Sequence, residues 1–185
     1  MDRELQEKNL QLFFKKLDKL GINTGLLQEK YGEKLLSASF VNTNEFGNAY
    51  DGSFLEIILR VLTPYAINLN NLLPEGLRVN PSSLVKVCLL HQIAKSIMMV
   101  KNTNEWEINK LNKVYTYAPD LPALKTGLLS MHMATECGVS FTIDEVEAMT
   151  INDRVSTDTQ AKFFSNRIAN IVRMANEMTY LQINS

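Results

Sequence analysis

The chain sets a histidine, an amide and a lysine into one apolar stretch, Leu89-Leu90-His91-Gln92-Ile93-Ala94-Lys95. An imidazole can move a proton or ligate a metal. Lys95, one helical turn beyond His91, would share its face and can neutralise an anion. Gln92 is the odd member: a neutral amide can hydrogen bond, but it lacks the anionic oxygen that holds a hard or borderline cation against water. Each residue also has a plain structural role. His91 on an apolar helix can be a core histidine whose ring nitrogens meet backbone carbonyls or a neighbouring side chain, and Lys95 can bury its stem while its ammonium meets water. Cys88 lies one turn before His91, but this dyad has no evident third group to orient it.

Helices must position these side chains, because the dominant period along the chain is helical. Leu10, Phe13, Phe14 and Leu17 form a stripe that stops at Gly21, and Leu27, Tyr31 and Leu35 form a second one. Residues 37–52 read as a loop feeding a helix from about Ser53 to Leu73, with Leu55, Ile58, Leu62 and Leu69 inward and a bend at Pro64. Asn80 as N-cap and Pro81 at the first position open the helix that carries His91. It is apolar nearly all round through Leu84, Val85, Val87, Cys88, Leu90, Ile93 and Ile97, which makes it the central helix, and it is expected to run to Val100.

Residues 101–120 break this pattern, and Trp106, Val114, Tyr115 and Tyr117 point to a short β-hairpin near 104–117. A helix from Leu121 to Cys137 ends at Gly138, and Thr142 with Glu145 forms a capping box for a helix reaching Asp153. The last helix, from Thr157 to Tyr180, turns Phe164, Ile168, Ile171, Ala175 and Met178 inward. The expectation is one all-α domain over residues 1–185, a bundle of about seven helices.

Composition narrows the function. With 185 residues, 45% hydrophobic and 21% charged, the chain can bury a sizeable core. A formal net charge of −1 without blocks of like charge gives no support for a nucleic-acid partner or an anionic membrane surface. Two cysteines, Cys88 and Cys137, make neither a disulfide framework nor a structural zinc motif and read as reduced core thiols. Met1 to Leu5 lacks a signal-peptide run, and no segment reaches the roughly 20 apolar residues that span a bilayer, so the expected compartment is the cytoplasm. Glycine-rich phosphate loops, nucleophile elbows and His-Glu-x-x-His motifs are absent from the sequence. His132 reads as a surface or packing residue. The methionines at 98, 99, 131 and 133 read as core fillers, and Trp106 and Tyr115 could anchor a partner or cover a core edge.

The segment around His91 resembles the Leu-Leu-His-Asp-Ile-x-Lys core of the HD-domain metal-dependent phosphohydrolases, and the likeness extends over most of residues 46–180, leaving 1–45 as an N-terminal helical extension. Tyr50-Asp51-Gly52-Ser53-Phe54-Leu55-Glu56-Ile57 is similar to the family's Tyr-x-Gly-Gly-Leu-Leu-Glu-His, with Ile57 at the histidine ligand. Gln92 stands at the metal-binding aspartate, and Lys95 matches the family lysine. Lys125-Thr126-Gly127-Leu128-Leu129-Ser130 corresponds to a stretch with His-Gly and then serine. Glu145-Val146-Glu147-Ala148-Met149-Thr150-Ile151-Asn152 resembles Glu-x-x-Ala-Ile-x-x-His, with Asn152 at the histidine. Ala175-Asn176 replaces the final Ala-Asp.

The resemblance implies a degenerate member in which only His91 survives from the metal-binding set. Without metals that polarise a phosphoryl group and activate water, no nucleophile is available near neutral pH. The implied protein is a pseudoenzyme that binds rather than hydrolyses, with a vestigial pocket of Ile57, His91, Gln92, Lys95, Lys125, Asn152 and Asn176. No catalytic residue and no cofactor are expected. Gln92 and Asn176 could hydrogen bond each other across the former site, and Lys125 could supply charge for a nucleotide or phosphate ligand or simply point to solvent. The alternative is an active metal-dependent phosphohydrolase in which Glu56, His91 and Asp153 hold a divalent cation in a rearranged site. A protein partner or a homo-oligomer docked near Trp106 is the third reading.

Overall fold

The computed structural model describes residues 2–121, 124–153 and 166–185, and of Asn152 the backbone alone. The described residues form an all-α fold with one small two-stranded sheet. Local signals set the ends of several helices. Asp2 caps α1 (Arg3–Lys19) by accepting from the Leu5 amide at 2.7 Å, with Glu4 in the first turn and Lys16 and Lys19 in the last. Gly21, at φ +77°, closes it with bonds from the Gly21 amide to Asp18 O and from the Ile22 amide to Leu17 O. The second helix, α2 (Gly25–Ser37), turns Leu27 and Leu35 into the core.

The expected helix from Ser53 to Leu73 is a continuous path in three parts: α3 (Ser53–Ile57), a π-helical turn (Ile58–Leu62) and α4 (Thr63–Leu72). Pro64 has no amide to give Arg60, and its ring crowds that carbonyl in a regular α-turn. The turn widens before it, and the Thr63 amide reaches back five residues to Ile58 O. A 3-10 turn (Glu75–Leu77) then leads to α5 (Pro81–Leu90), capped by Asn80 onto the Ser82 amide. This is the central helix: Leu84, Val87, Cys88, Leu89 and Leu90 are fully buried, and α1, α4, α8 (Thr126–Glu136), α9 (Ile143–Met149) and α10 (Arg167–Ile183) pack against it.

α5 does not continue to Val100. Residues 91–94 tighten into a turn in which Ile93, Lys95 and Ser96 donate to carbonyls three residues back. The His91 ring competes for the Val87 and Cys88 carbonyls, and the Ala94 amide turns aside to Ser130 Oγ at 3.0 Å. A short α6 (Lys95–Met98) follows, and the chain then extends as β1 (Met99–Lys101). β1 pairs antiparallel with β2 (Tyr115–Tyr117), Met99 opposite Tyr117 and Lys101 opposite Tyr115. The strand pair therefore spans 99–117. Residues expected to form its first arm instead form α7 (Glu105–Leu111), because Asn104 accepts from the Trp106 and Glu107 amides and starts a helix there.

The expected helix from Leu121 begins only at Thr126. Asp153 fixes that start, since its carboxylate accepts from the Gly127 and Leu128 amides at 2.9 and 2.8 Å. α8 ends at Gly138 with the same paired closure seen at Gly21. Thr142 and Glu145 make the expected capping box on α9, which stops at Met149 before a 3-10 turn over Ile151–Asp153. α10 starts at Asn166, which caps the Ala169 amide, and Ile168, Ile171 and Ala175 face the core. Phe164 and the expected start at Thr157 lie outside the described residues, and Met178 is partly exposed.

Candidate functional site

The turn at 91–94 and the first residue of α6 bring three side chains to one place. His91, Gln92, Lys95, Tyr117, Thr126, Gly127, Met149, Asp153, Asn176 and Tyr180 line a cavity of about 240 Å³. That turn and six further elements converge there, and the fit is close at Gly127: a Cβ on it would stand 2.3 Å from Met149 O and 2.8 Å from an Asp153 carboxylate oxygen. Only a residue without a side chain lets α8 approach the 149–153 segment.

A neutral relay forms the floor. His91 Nδ1 lies 3.1 Å from Val87 O and 3.2 Å from Cys88 O. Two carbonyls can only accept, so Nδ1 carries the proton and Nε2 is left as the acceptor. Gln92 Nε2 lies 2.9 Å from His91 Nε2 and donates to it. The same amide nitrogen donates to Asn176 Oδ1 at 2.8 Å. Burial, together with the nearby Lys95 charge, pushes the His91 imidazolium down to about 4 against the stabilising carbonyl contacts, so the ring is neutral at ordinary pH. The expected bond between Gln92 and Asn176 across the pocket is therefore present, and His91 is a buried histidine with both ring nitrogens partnered.

Lys95 is 8% exposed and makes no ion pair among the described residues. Its ammonium donates to Phe40 O at 2.8 Å and to Tyr180 Oη at 3.1 Å, and it lies 3.8 Å from the centre of the Phe40 ring. Burial without a carboxylate lowers it to about 7, and burial raises the Tyr180 hydroxyl to about 12. It does not snorkel outward; its charge is held inside.

The other residues named from the sequence divide. Ile57 is a core residue at 4% exposure and does not line the cavity, because α3 turns it into the hydrophobic cluster. Lys125 is exposed at the start of α8, where its ammonium donates to the Asp153 backbone carbonyl, and it too stands outside the lining. The side chain of Asn152 lies outside the described residues. Glu56 accepts from the Tyr50 hydroxyl at 3.0 Å, and Asp153 reaches the cavity with both carboxylate oxygens committed to α8 amides. Cys88 is fully buried and its thiol is pushed up to about 12, so no thiolate pairs with His91. His132 is exposed beside Glu136. Trp106 is 61% exposed, whereas Tyr115 is buried and donates to Asp51 at 2.6 Å.

Comparison with known proteins identifies no relative. No family model, no curated protein and no solved structure matches the chain. The chemistry of the site must be argued from its own donors. Among the described residues no three His, Cys, Asp or Glu side chains gather as metal ligands. The lining donors among the described residues do not fit a divalent cation: His91 Nε2 is occupied by an amide N–H, Asp153 by two backbone amides, and what remains is neutral apart from the Lys95 ammonium, which repels a metal ion. No helix among the described residues is long and apolar enough to cross a membrane.

Sequence reasoning missed Tyr117, Thr126, Gly127, Met149 and Tyr180 as lining residues. A signal existed for one of them: Tyr180 lies four residues after Asn176 on the same face of α10. Tyr117 enters only through the β1 and β2 pairing, which no local pattern specifies.

Proposed function

We propose that this chain is an HD-like helical domain without metal-dependent hydrolysis, serving as a binding module for a small phosphate-bearing ligand. The observation that carries the reading is a buried cation without a counter-charge among the described residues, beside a neutral relay. Lys95 faces two neutral oxygens and an aromatic ring, and a negative ligand in the cavity would restore the charge that burial disfavours. His91, Gln92 and Asn176, which occupy three ligand positions in the implied family pattern, are tied to one another and offer no anionic oxygen to a metal. The cavity size favours a phosphate with a short substituent over a large cofactor, since full ligand pockets run from about 300 Å³ upward.

Calorimetric titration of methyl phosphate into chelator-treated protein tests this reading. Saturable binding without release of inorganic phosphate is expected. Binding or turnover that requires added manganese would transfer the site to the phosphohydrolase reading.

A further inference from the structure

We infer that α7 is a self-association surface, on which a second copy of this chain lays its own α7 antiparallel about a two-fold axis. No residue of that helix lines the cavity at His91, so dimerisation and ligand binding are separate properties.

α7 is carried between β1 and β2, and none of its residues is buried. At roughly 100° per residue, Glu107, Ile108 and Leu111 fall on one side of it. That side turns toward its own arm: Glu107 meets Lys113 at 2.9 Å and Asn102 at 2.8 Å, and Ile108 is half-buried. Glu105, Trp106, Asn109 and Lys110 share the other side, and all four are exposed. The chain's single tryptophan therefore stands in water at the middle of an unpartnered helix face. Such a ring is the side chain most enriched among the anchors of protein interfaces.

Charge names the occupant. The Glu105 and Lys110 side chains make no ion pair or hydrogen bond among the described residues. They stand at opposite ends of the face with opposite signs. A two-fold antiparallel pair sets Glu105 of each copy against Lys110 of the other, and Trp106 against Asn109. The two indoles are then offset along the helices by about 4.5 Å, the rise of three residues, and cover each other. A parallel pair would oppose like charges at both ends, and a partner of one sign would match only one of the two. The face is only seven residues long. It buries less than the roughly 800 Å² per partner of a standard interface, so the dimer is weak and depends on concentration.

Sedimentation equilibrium of the full chain at low ionic strength tests this, and a dissociation constant between about 10 μM and 1 mM is expected. Emission of Trp106 should shift to the blue with the same midpoint, since no other tryptophan contributes. Glu105→Lys and Lys110→Glu each oppose like charges at both symmetric contacts and should weaken the dimer at least about fivefold. The double variant restores both contacts and should recover the wild-type constant, as should an equal mixture of the two single variants. A chain that stays monomeric up to about 1 mM would overturn the inference. So would a dimer that the single reversals leave intact, or one that the exchanged pair fails to restore.

Discussion

Two lysines on or near the central helix meet opposite surroundings, and the contrast separates architecture from site. Lys86 on α5 donates to Glu145 at 2.6 Å and to Ser140 O at 2.8 Å, and it lies 5.0 Å from the centre of the Phe141 ring. Glu145 is buried, which by itself would raise its carboxyl. The Lys86 ammonium, the Thr142 amide and a Ser83 hydrogen bond bring it below the usual glutamate range. Every group in this cluster has its complement, and it ties α5 to the start of α9. Among the described residues Lys95 has no acid, and its neighbour Gln92 has an orphan carbonyl. A closed polar cluster holds helices together, whereas an open one asks for something from outside.

The contrast can be broken first at its closed end. Glu145→Ala strands the Lys86 ammonium and removes half of the α9 capping box, and urea denaturation should show a loss of about 3 kcal/mol. Converting both partners to methionine should cost less than the single change, since no unpaired charge remains. A single-mutant loss below about 1 kcal/mol would mean that the pair is not structural.

Lys95 should behave in the opposite sense. Its folded value of about 7 lies below the unfolded value of 10.5, so between these limits the unfolded chain binds more protons than the native one. Wild-type stability should therefore rise as pH increases from about 7 toward 10.5, and the penalty should be fully present below about 7. Lys95→Met should abolish the added slope and equal or exceed wild-type stability at pH 6 by about 1–2 kcal/mol. Thermal unfolding of both proteins across that range checks the sign, and parallel pH profiles would contradict it.

The smallest effect is expected at Gln92. Gln92→Met loses two donated hydrogen bonds but also removes an unpaired buried carbonyl, so unliganded stability should change by less than about 1 kcal/mol. A loss as large as that of Glu145→Ala would place Gln92 with the structural residues.

Much of this arrangement was legible where the signal is local. Asn80-Pro81, the Thr142 and Glu145 box, and the stops at Gly21 and Gly138 each act within a few residues, and each stands where the sequence puts it. The breaks were hidden because distant groups cause them. Ser130, 36 residues away, takes the Ala94 amide, and Asp153, more than two dozen residues beyond α8's first turn, fixes where that helix begins. The strand pair likewise recruits Met99–Lys101 from a segment whose own period reads as helix.

The site was half legible for the same reason. His91, Gln92 and Asn176 meet as their positions imply, because the turn that carries the first two directly continues the buried α5, and Asn176 lies on the inner face of the long amphipathic α10. Lys125 could not be placed, since its direction depends on the 149–153 segment that its own ammonium contacts. The orphan oxygen of Gln92 was beyond reach of sequence, because it follows from a tautomer that two backbone carbonyls select.

The proposed pocket works through neutral amides and a lysine rather than through metal ions. Elemental analysis tests it most directly, on protein expressed with added manganese, iron and zinc and purified without chelators. Metal far below stoichiometric is expected. About one or two tightly held ions per chain, the occupancy of a working hydrolytic centre, would contradict it.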